Sequence, residues 1–381
     1  MKITYQFLLF FLVCLSLNSC KQSTEVKQPE EEILSGKPEP LSQTSSFEII
    51  NYENFTWLSI TTPWQGAEKA ITYIAYKRGT PKPEGFDDAI FIETPIRSLA
   101  CNSTTHVAML DFLESTDVIT GMAGTKYVYN EDVRYMIDDG KITELGLDRD
   151  LDYEKLITLN PDVVLTYSMG PQNNIDKIKE TGLAPVVLAE FLDASPLGRA
   201  EWVKFLAVLL EKQEMARVKF EAMEGFYNTF KSLVVNKERP TVMVGMGYEG
   251  TWYVPAGGSY VAKTIEDAGG NYLWKDKPGS LSLPLDFEAV YDKAKAADKW
   301  INVGQVNSLK DITSVDERYG IFEALTTSEV YNGNARVSEK GGYDIYESAV
   351  VNPHLVLRDL VKAFHPDVLP EEPFVYYKRL D

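Results

Sequence analysis

The chain has 381 residues, of which 44% are hydrophobic and 25% are charged, with 38 Lys and Arg residues against 56 Asp and Glu residues. This length suggests two domains, or one large one, with enough core that disulfides are not needed for stability. The formal net charge of −18 excludes a non-specific nucleic-acid-binding protein, because such binding depends on neutralising phosphates with Lys and Arg.

The N-terminal residues have the pattern of an export signal. Lys2 precedes an apolar run over residues 7–17, which is too short for a membrane span of about 20 residues but typical of a signal peptide. Residues 17–20 (Leu-Asn-Ser-Cys) resemble the lipobox of bacterial lipoproteins, whose Cys is acylated and becomes the new N-terminus. We therefore predict a signal peptide over residues 1–19 and lipidation of Cys20, with a plain secretory signal as the alternative.

The next segment predicts a flexible connection between the membrane and the folded body. Residues 20–46 are rich in Glu, Lys, Gln, Ser, Thr and Pro and contain few large apolar side chains, so they cannot bury enough surface to fold. We predict a lipidated tether that holds the protein at the cell envelope, facing the periplasm. Cys101 is then the only cysteine left in the body, which leaves it no partner for an intramolecular disulfide.

Short apolar and aromatic runs over residues 47–94 predict a β-rich extension. From residue 95 such runs alternate with amphipathic stretches, a pattern typical of a parallel sheet covered by helices. Residues 95–194 are predicted to form a first α/β lobe. Its predicted strands cover residues 96–100, 118–122, 162–167 and 185–189, its helices cover 104–113, 153–159 and 174–180, and a long loop follows residue 122.

A helical linker is predicted over residues 195–238. Ser195 and Pro196 form a favourable start for its first helix. A second helix over residues 213–235 is indicated by six apolar residues spaced 4, 3, 4, 3 and 4 apart along one face, a run that begins at Ala216 and ends at Val234. At 1.5 Å per residue this helix would extend about 35 Å, enough to join two domains.

A second α/β lobe is predicted over residues 239–381. Its predicted strands cover residues 241–245, 300–303 and 335–338, and its helices cover 259–267, 287–296, 316–325 and 353–364. Residues 151–154 and 285–288 both read Leu-Asp-aromatic-Glu before a helix and a strand. This similarity indicates a diverged repeat between the halves, although unrelated αβ units can look alike because Asp caps helices and Glu favours their first turn.

Residues 245–250 (Gly-Met-Gly-Tyr-Glu-Gly) match the GxGxxG spacing of dinucleotide-binding loops. Such a loop binds a pyrophosphate only where its last glycine opens a helix. Residues 251–255 (Thr-Trp-Tyr-Val-Pro) predict extended chain instead, so we interpret the motif as a strand-end loop. It would display Tyr248, Trp252 and Tyr253 at the carboxyl edge of the second sheet, where ligands of open α/β sheets bind. Packing of these aromatics against the neighbouring lobe is the alternative.

The sequence offers no catalytic or metal-binding constellation. Its three histidines are scattered, without HExxH spacing or clustered Cys. It also lacks a GxSxG motif and a distinctive pair of carboxylates. We therefore expect no metal site, no cofactor and no enzymatic activity, with an exported lipoprotein hydrolase as the alternative. His106 lies between the first strand and its helix, where contact with a ligand and a structural role both stay open.

Several features together resemble one family. They are the lipobox, the strand over 96–100 followed by Thr-Thr-His at 104–106, the stretch Leu-Ile-Thr-Leu-Asn-Pro-Asp-Val-Val at 156–164, the long linking helix, the loop over 253–260 before Asp-Ala-Gly-Gly at 267–270, and the C-terminal segment 365–377. Over residues 95–381 the chain resembles the substrate-binding lipoproteins of ABC importers for iron complexes and cobalamin. The resemblance implies an α/β fold of two Rossmann-like lobes with parallel sheets joined by a long α-helix.

The resemblance also implies a receptor. A small-molecule ligand lies in the crevice between the lobes and is delivered to a membrane permease driven by an ATPase. We expect a monomer whose ligand is an iron complex, foremost a ferric siderophore, with cobalamin or another corrinoid, or haem, as alternatives. The family docks to permease arginines through an acidic residue on each lobe. Asp316 or Glu317 fits this role on the second lobe, and Asp176 is the candidate on the first.

The candidate ligand-binding residues lie at the predicted strand ends and in the linker. Arg199 suits an anionic chelate because its guanidinium can form two parallel hydrogen bonds; surface pairing with Glu201 or its neighbours is the alternative. Aromatic side chains in a crevice suit flat or bulky ligands without selecting among them. Besides Arg199, the candidates are Thr105, His106, Tyr167, Met169, Glu190, Phe191, Tyr248, Trp252 and Tyr253.

Overall fold

The described chain begins with a five-stranded sheet. The computed structural model describes residues 36–147, 150–170 and 174–381, so the predicted signal peptide and Cys20 lie outside the described residues. The strands pair in the order β1-β2-β3-β4-β5, and all pairs are antiparallel except β4 with β5. The strands are β1 (Lys37–Pro38), β2 (Phe47–Asn51), β3 (Phe55–Ile60), β4 (Ile71–Lys77) and β5 (Ile90–Thr94).

Residues 36–46, predicted to belong to the flexible tether, are part of the folded body. β1 pairs with β2, and the backbone N–H groups of Ser42, Gln43 and Thr44 donate to the carboxylate of Glu201 at 2.8–2.9 Å. Glu201 is fully buried, so these donors are needed to satisfy its charge. Hydrogen bonds to the carboxylate of Glu201 order this polar segment. The composition of residues 36–46 could not predict this, because Glu201 is far away in the sequence.

The first lobe is a parallel sheet in the order β12-β11-β6-β7-β8. Its central strands are buried on both faces, as expected for parallel strands between helices. The stretch predicted as a long loop contains a helix, α2, whose first turn is capped by the side chain of Asn130. The elements are β6 (Leu99–Cys101), α1 (Thr104–Phe112), β7 (Ile119–Met122), α2 (Glu131–Asp138), β8 (Thr143–Glu144), β9 (Gly146–Leu147), β10 (Asp150–Leu151), α3 (Tyr153–Leu159), β11 (Val163–Thr166), α4 (Asn174–Glu180) and β12 (Pro185–Val187).

Three helices link the two halves: α5 (Pro196–Glu201), α6 (Val203–Leu209) and α7 (Gln213–Ser232). The 20 residues of α7 extend about 30 Å. On the first-lobe side, the Nζ of Lys219 donates to the carbonyl of Phe112; on the other side, the hydroxyl of Tyr227 donates to Asp267. The predicted long helix between the lobes is therefore confirmed. Among the described residues, no helix is long and apolar enough to cross a bilayer.

The second lobe repeats the layout in the order β16-β13-β18-β19-β20, with β20 antiparallel, beside a small sheet of β14, β15 and β17. The elements are β13 (Thr241–Val244), β14 (Gly247–Tyr248), β15 (Thr251–Pro255), α8 (Tyr260–Asp267), β16 (Asn271–Tyr272), β17 (Ser282–Leu285), α9 (Phe287–Ala294), β18 (Lys299–Ile301), α10 (Leu309–Val315), α11 (Glu323–Thr326), β19 (Val330–Asn332), α12 (Pro353–Phe364) and β20 (Lys378–Arg379).

Two predictions for the second lobe are wrong. The helix predicted over residues 316–325 is a 3₁₀ turn over Glu317–Ile321 followed by α11, because the backbone of Phe322 between them is extended, with ψ of 131°. The strand predicted over residues 335–338 lies instead at Val330–Asn332. That strand is only three residues long, too short for a periodic pattern to locate it.

Candidate ligand-binding site

A cavity of about 310 Å³ lies where the second lobe meets the first. The ends of β18 and β19, α8, α12 and the segment between β19 and α12 form most of its wall, and α1 and α5 complete it. Its position beyond the carboxyl ends of parallel strands is where open α/β sheets bind ligands. The lining residues are Thr105, Pro196, Arg199, Tyr260, Val261, Thr264, Ile265, Ile301, Asn302, Gly304, Asn332, Gly333, Tyr343, Ile345, Tyr346, Ala349, Val350, Pro353, Val356, Leu360 and Tyr377.

Two asparagines fix the strand-end rim of the cavity. The side-chain oxygen of Asn302 accepts a hydrogen bond of 2.8 Å from the hydroxyl of Tyr377. The side-chain amide of Asn332 donates to the carbonyls of Gly304 and Val306 at 2.8 and 3.1 Å. Because Asn332 is 3% exposed, these bonds satisfy buried carbonyls and hold the loop after β18 in place.

Phenol rings and aliphatic side chains dominate the remaining wall. Tyr260, Tyr343, Tyr346 and Tyr377 surround an aliphatic floor from α8 and α12. Burial raises the pKa of Tyr377 above its ordinary value, so its phenol stays neutral at physiological pH. Apolar walls with a few placed polar groups are typical of sites for organic ligands.

Arg199 is the only charged side chain among the described residues that line the cavity. Its guanidinium lies 4.0 Å from the centroid of the Tyr260 ring, and its Nε is buried without a hydrogen-bond partner. Surface pairing with Glu201 is not observed, because that carboxylate is occupied by residues 42–44 and by Lys204 at 2.8 Å. The cavity therefore has one positive charge in its described wall.

The first lobe contributes Thr105 to the cavity, with Glu190 directly behind it. The Thr105 hydroxyl donates to the Glu190 carboxylate at 2.8 Å. Glu190 is 4% exposed, and its burial raises the pKa of that carboxyl, while the nearby charge of Arg199 lowers it. Glu190 does not line the cavity itself; it positions the Thr105 side chain.

His106 lies in the core rather than at the cavity. It is fully buried, and burial lowers its pKa to about 3, so the ring is neutral. Successive residues of an α-helix point about 100° apart, which is why Thr105 faces the cavity and His106 does not. A ligand contact at His106 is inconsistent with this position, whereas the structural alternative fits it.

The other first-lobe candidates lie near one another but not on the cavity wall. The rings of Tyr167 and Phe191 are 6.1 Å apart, and Met169 is 69% exposed. A contact between any of the three and a ligand stays a prediction.

The aromatic residues after the glycine motif are not part of the cavity either. β14 and β15 form a hairpin, in which side chains alternate between faces. Trp252 points inward, is 2% exposed and donates from Nε1 to the carbonyl of Val244 at 2.9 Å. Tyr248 and Tyr253 point outward and are 68% and 53% exposed. The predicted display of all three at a ligand site is therefore wrong for Trp252, which is a core residue packed on Trp300.

Sequence reasoning missed most of the residues that build the cavity. Asn302 could have been predicted, because it lies near the carboxyl end of the strand predicted over residues 300–303. Asn332 ends a strand that was predicted at the wrong position. Tyr343 and Tyr346 lie at a short 3₁₀ turn, Asp344–Tyr346, that the sequence does not indicate. Tyr377 reaches the cavity from the C-terminal segment, at a distance in sequence that no pattern encodes.

The predicted docking acids are on the surface. Asp176 is exposed on α4, and Glu317 is exposed at the start of its 3₁₀ turn. Asp316 is half-buried and forms an ion pair of 2.7 Å with Arg318. Within residues 36–147, 150–170 and 174–381, no group of three or more His, Cys, Asp or Glu is arranged to hold a metal ion.

Comparison with known proteins identifies the fold. A family model described as periplasmic binding protein matches residues 99–331. An uncharacterized lipoprotein of Methanocaldococcus jannaschii is 30% identical over 291 residues, which cover 74% of this chain and 68% of the relative.

Solved structures with low sequence identity show the same fold. A periplasmic binding protein from Veillonella parvula has a TM-score of 0.59 at 13% identity, covering 82% of this chain and 98% of that one. A molybdate periplasmic binding protein of Haemophilus influenzae, bound to molybdate, has a TM-score of 0.57 at 16% identity, covering 74% of this chain and 90% of its own.

Proposed function

Because the chain belongs to the periplasmic binding protein family, we propose that it is the substrate-binding component of an ABC importer. It captures a small molecule in the cavity between its lobes and delivers it to a permease driven by an ATPase. The observation that carries this proposal is the cavity at the strand ends of the second lobe, closed on its other side by Thr105 and Arg199. The described wall contains no Asp, Glu, His or Cys, which favours a receptor over the alternative of a hydrolase.

We propose that the captured molecule is an iron complex, foremost a ferric siderophore. The phenol rings and aliphatic floor suit an organic chelate. The cavity of about 310 Å³ lies at the lower end of the range of about 300–1,000 Å³ for small-molecule sites. A compact ferric chelate therefore fits this space better than haem or cobalamin.

The charge of the wall adds a condition on the ligand. Arg199 brings one positive charge into a cavity without a lining carboxylate, and its buried Nε lacks a partner. An anionic group on the chelate would pair with the charge of the Arg199 guanidinium through a charge-assisted hydrogen bond. A ligand with a net negative charge is therefore favoured over a neutral one.

The proposal is tested first by native mass spectrometry of the protein purified from its own cells, where a bound ferric chelate appears as added mass. Titration with ferric citrate, a ferric catecholate, haem and cobalamin, followed by tryptophan fluorescence, then ranks the ligand classes. Micromolar or tighter binding of a ferric chelate without turnover supports the receptor. Hydrolysis of an added substrate, or no binding by any of the four, contradicts it.

The role of Arg199 has a matched control. Arg199→Gln is expected to weaken binding of an anionic chelate about 10-fold or more, because one charge-assisted contact is lost. Arg217→Gln removes an exposed arginine on α7 that pairs with Glu214 and Glu221 and is expected to leave the affinity unchanged. Equal affinities for the two variants would remove Arg199 from the binding site.

For docking to the permease we propose Asp176 on the first lobe and Glu317, with Asp316, on the second. All three carry negative charge at the surface of their lobes, although Asp316 already pairs with Arg318. Charge reversal at Asp176 and Glu317 is expected to lower uptake through the permease in proteoliposomes while leaving ligand affinity unchanged. A matching loss of ligand affinity would contradict a docking role.

We expect the protein to be a monomer in solution, and light scattering measures its mass.

We also propose that the protein is exported and anchored by lipid at Cys20, facing the periplasm. The support is the lipobox-like sequence at residues 17–20 and the M. jannaschii relative, which is named a lipoprotein. Cys20→Ser is expected to abolish incorporation of labelled fatty acid and to release the protein from membranes. Unchanged membrane association would contradict the anchor.

A further inference from the structure

One segment of the second lobe both lines the cavity and contacts the first lobe. Residues 336–350, which we call the arm, follow β19 and precede α12. The arm supplies Tyr343, Ile345, Tyr346, Ala349 and Val350 to the cavity wall. The side chain of Tyr346 is 66% exposed although it lines the cavity, which places it at the mouth.

The arm is held to the first lobe by one buried carboxylate. Glu347 is 2% exposed, and its two carboxylate oxygens accept hydrogen bonds from the backbone N–H groups of Tyr129 and Asn130, both at 2.7 Å. These donors precede the N-terminus of α2, whose dipole also favours a negative charge. Glu347 is adjacent in sequence to Tyr346, so the contact that joins the lobes lies beside the mouth of the cavity.

Further contacts flank the Glu347 carboxylate. The hydroxyl of Thr104 donates to the carbonyl of Tyr346 at 3.0 Å. Lys340 and Asp138 form an ion pair of 2.9 Å, but both side chains are more than half exposed, so the pair contributes little. The Nε of Arg336 also donates to the hydroxyl of Tyr129 at 3.2 Å, but the Arg336 side chain is 43% exposed. The bond of Glu347 is therefore the most buried charged contact between the arm and the first lobe.

The backbone of the arm approaches the first lobe closely. A Cβ added to Gly342 would overlap the carbonyl oxygen of Tyr127. Glycine at this position lets the two backbones meet, and any larger residue would push the arm away from the first lobe. The close approach at Gly342 does not involve the charge on Glu347.

We propose that the arm is the gate of the cavity and that Glu347 holds it closed. Solute enters and leaves when the arm detaches from residues 129–130, and Glu347 positions Tyr346 and Tyr343 against the bound solute. The entry and exit of a solute rest on the function proposed above. The opening and closing of the arm do not depend on that function, and they can be measured without a ligand.

The test uses a reporter thiol inside the cavity of the full mature chain. Thr264 lines the cavity, is 5% exposed and is close in size to cysteine. Thr264→Cys therefore reports the opening of the gate through its rate of reaction with N-ethylmaleimide. The chain without this substitution gives the background from Cys101, which is buried.

Into the reporter chain we place Glu347→Gln and, as a matched control, Glu201→Gln. Glu201 is also buried and also accepts backbone N–H groups from a distant segment, but it lies away from the cavity wall. Glu347→Gln is expected to raise the rate of modification about 10-fold or more, since the Gln amide has one acceptor oxygen for two backbone N–H groups and turns its NH₂ group toward the other. Glu201→Gln is expected to leave the rate within about two-fold.

Hydrogen exchange supplies a second readout. Glu347→Gln is expected to speed exchange of the Tyr129 and Asn130 amides while the amides of β11 keep their rates. Gly342→Ala opens the same gate by steric repulsion and serves if Glu347→Gln fails to fold.

The two readouts decide the proposal. Faster thiol modification together with faster local exchange supports the gate. Equal modification rates in the parent and both gate variants, or an equal increase with Glu201→Gln, overturns it. Failure of all ligand titrations would contradict the proposed function and leave this result standing.

Discussion

The carboxyl edges of the two parallel sheets both carry polar side chains, but these side chains have different partners. At the first edge, polar side chains bond to one another: Asn102 donates to Thr166 at 3.1 Å, and Thr105 donates to Glu190 at 2.8 Å. At the second edge, Asn302 and Asn332 bond to Tyr377 and to the following loop. The second edge borders the cavity with several residues, whereas Thr105 is the residue of the first edge that lines it among the described residues.

The difference arises after the last parallel strand of the second lobe. The arm and α12 follow β19, and the first lobe has no equivalent of them after β12, where the chain enters the linker helices. These added segments wall off the space beyond β18 and β19. The repeated αβ units thus give each lobe a sheet edge at which a site can form. The arm and α12, which are not repeated, determine that the cavity forms at the second edge.

The largest expected effect concerns Glu347, at the closure of the second edge. Burial raises its pKa from 4.5 to about 7, so the folded protein binds a proton that the unfolded chain releases between these values. The resulting stability is fully present below pH 4.5 and is lost as the pH rises through 7. Between pH 4 and 8, wild-type stability relative to Glu347→Gln is expected to fall by up to about 3 kcal/mol, measured by urea unfolding. If the unfolding free energies of the wild type and Glu347→Gln changed equally with pH, the raised pKa of Glu347 would be contradicted.

The next effect compares the two asparagine positions directly. Asn332→Ala leaves the Gly304 carbonyl without its side-chain donor, while the Val306 carbonyl keeps its bond from Asn334, and is expected to cost about 2 kcal/mol of unfolding free energy. Asn102→Ala removes one bond to a hydroxyl that can reorient, and about 1 kcal/mol is expected. Urea-induced unfolding of both variants measures the difference. A larger loss for Asn102→Ala would mean that the first edge is the more tightly constrained one.

A smaller effect is expected at Thr105, where the first edge meets the cavity. Thr105→Val removes the hydroxyl that donates to the Glu190 carboxylate, and a loss of about 1 kcal/mol is expected at pH 8. Burial already raises the pKa of Glu190, and losing this donor raises it further. The loss should therefore shrink as the pH falls and the carboxyl becomes protonated. A loss that grows toward acidic pH would contradict the contact.

The smallest effect is expected at the exposed aromatics of the β14–β15 hairpin. Tyr248→Ser and Tyr253→Ser change side chains that are exposed and do not line the cavity. Unfolding free energies within about 0.5 kcal/mol of the wild type are expected, and ligand affinity should not change. A clear loss of affinity in either variant would return this hairpin to the binding site and weaken the contrast between the edges.

Much of the fold could be predicted because its elements carry local signals. The helix over Tyr153–Leu159 and the helix over Pro353–Phe364 match their predicted bounds, since their starts are marked by a capping Asp and by an Asn-Pro pair. The buried face of α7 follows the predicted spacing. Short strands such as β19 and polar segments such as residues 39–46 gave no comparable signal.

The site was predictable only where it coincides with a strand end or the start of a helix. Thr105 and Arg199 line the cavity. Thr105 is in the first turn of α1, which Ser103 caps, and Arg199 is in the short helix α5, which Ser195 caps. Trp252 misled the prediction because a hairpin alternates its faces, and only the partner strand shows which face is covered.

The sequence by itself determined the export-type leader pattern, the two αβ halves and the long linking helix, because hydrophobic periodicity and capping act within a few residues. Tertiary structure alone decided that Glu347 meets residues 129–130, that Tyr377 reaches Asn302 and that Glu201 orders residues 42–44. Each of these contacts joins groups far apart in the chain. Their energy comes from burying and pairing polar groups that no local pattern places together.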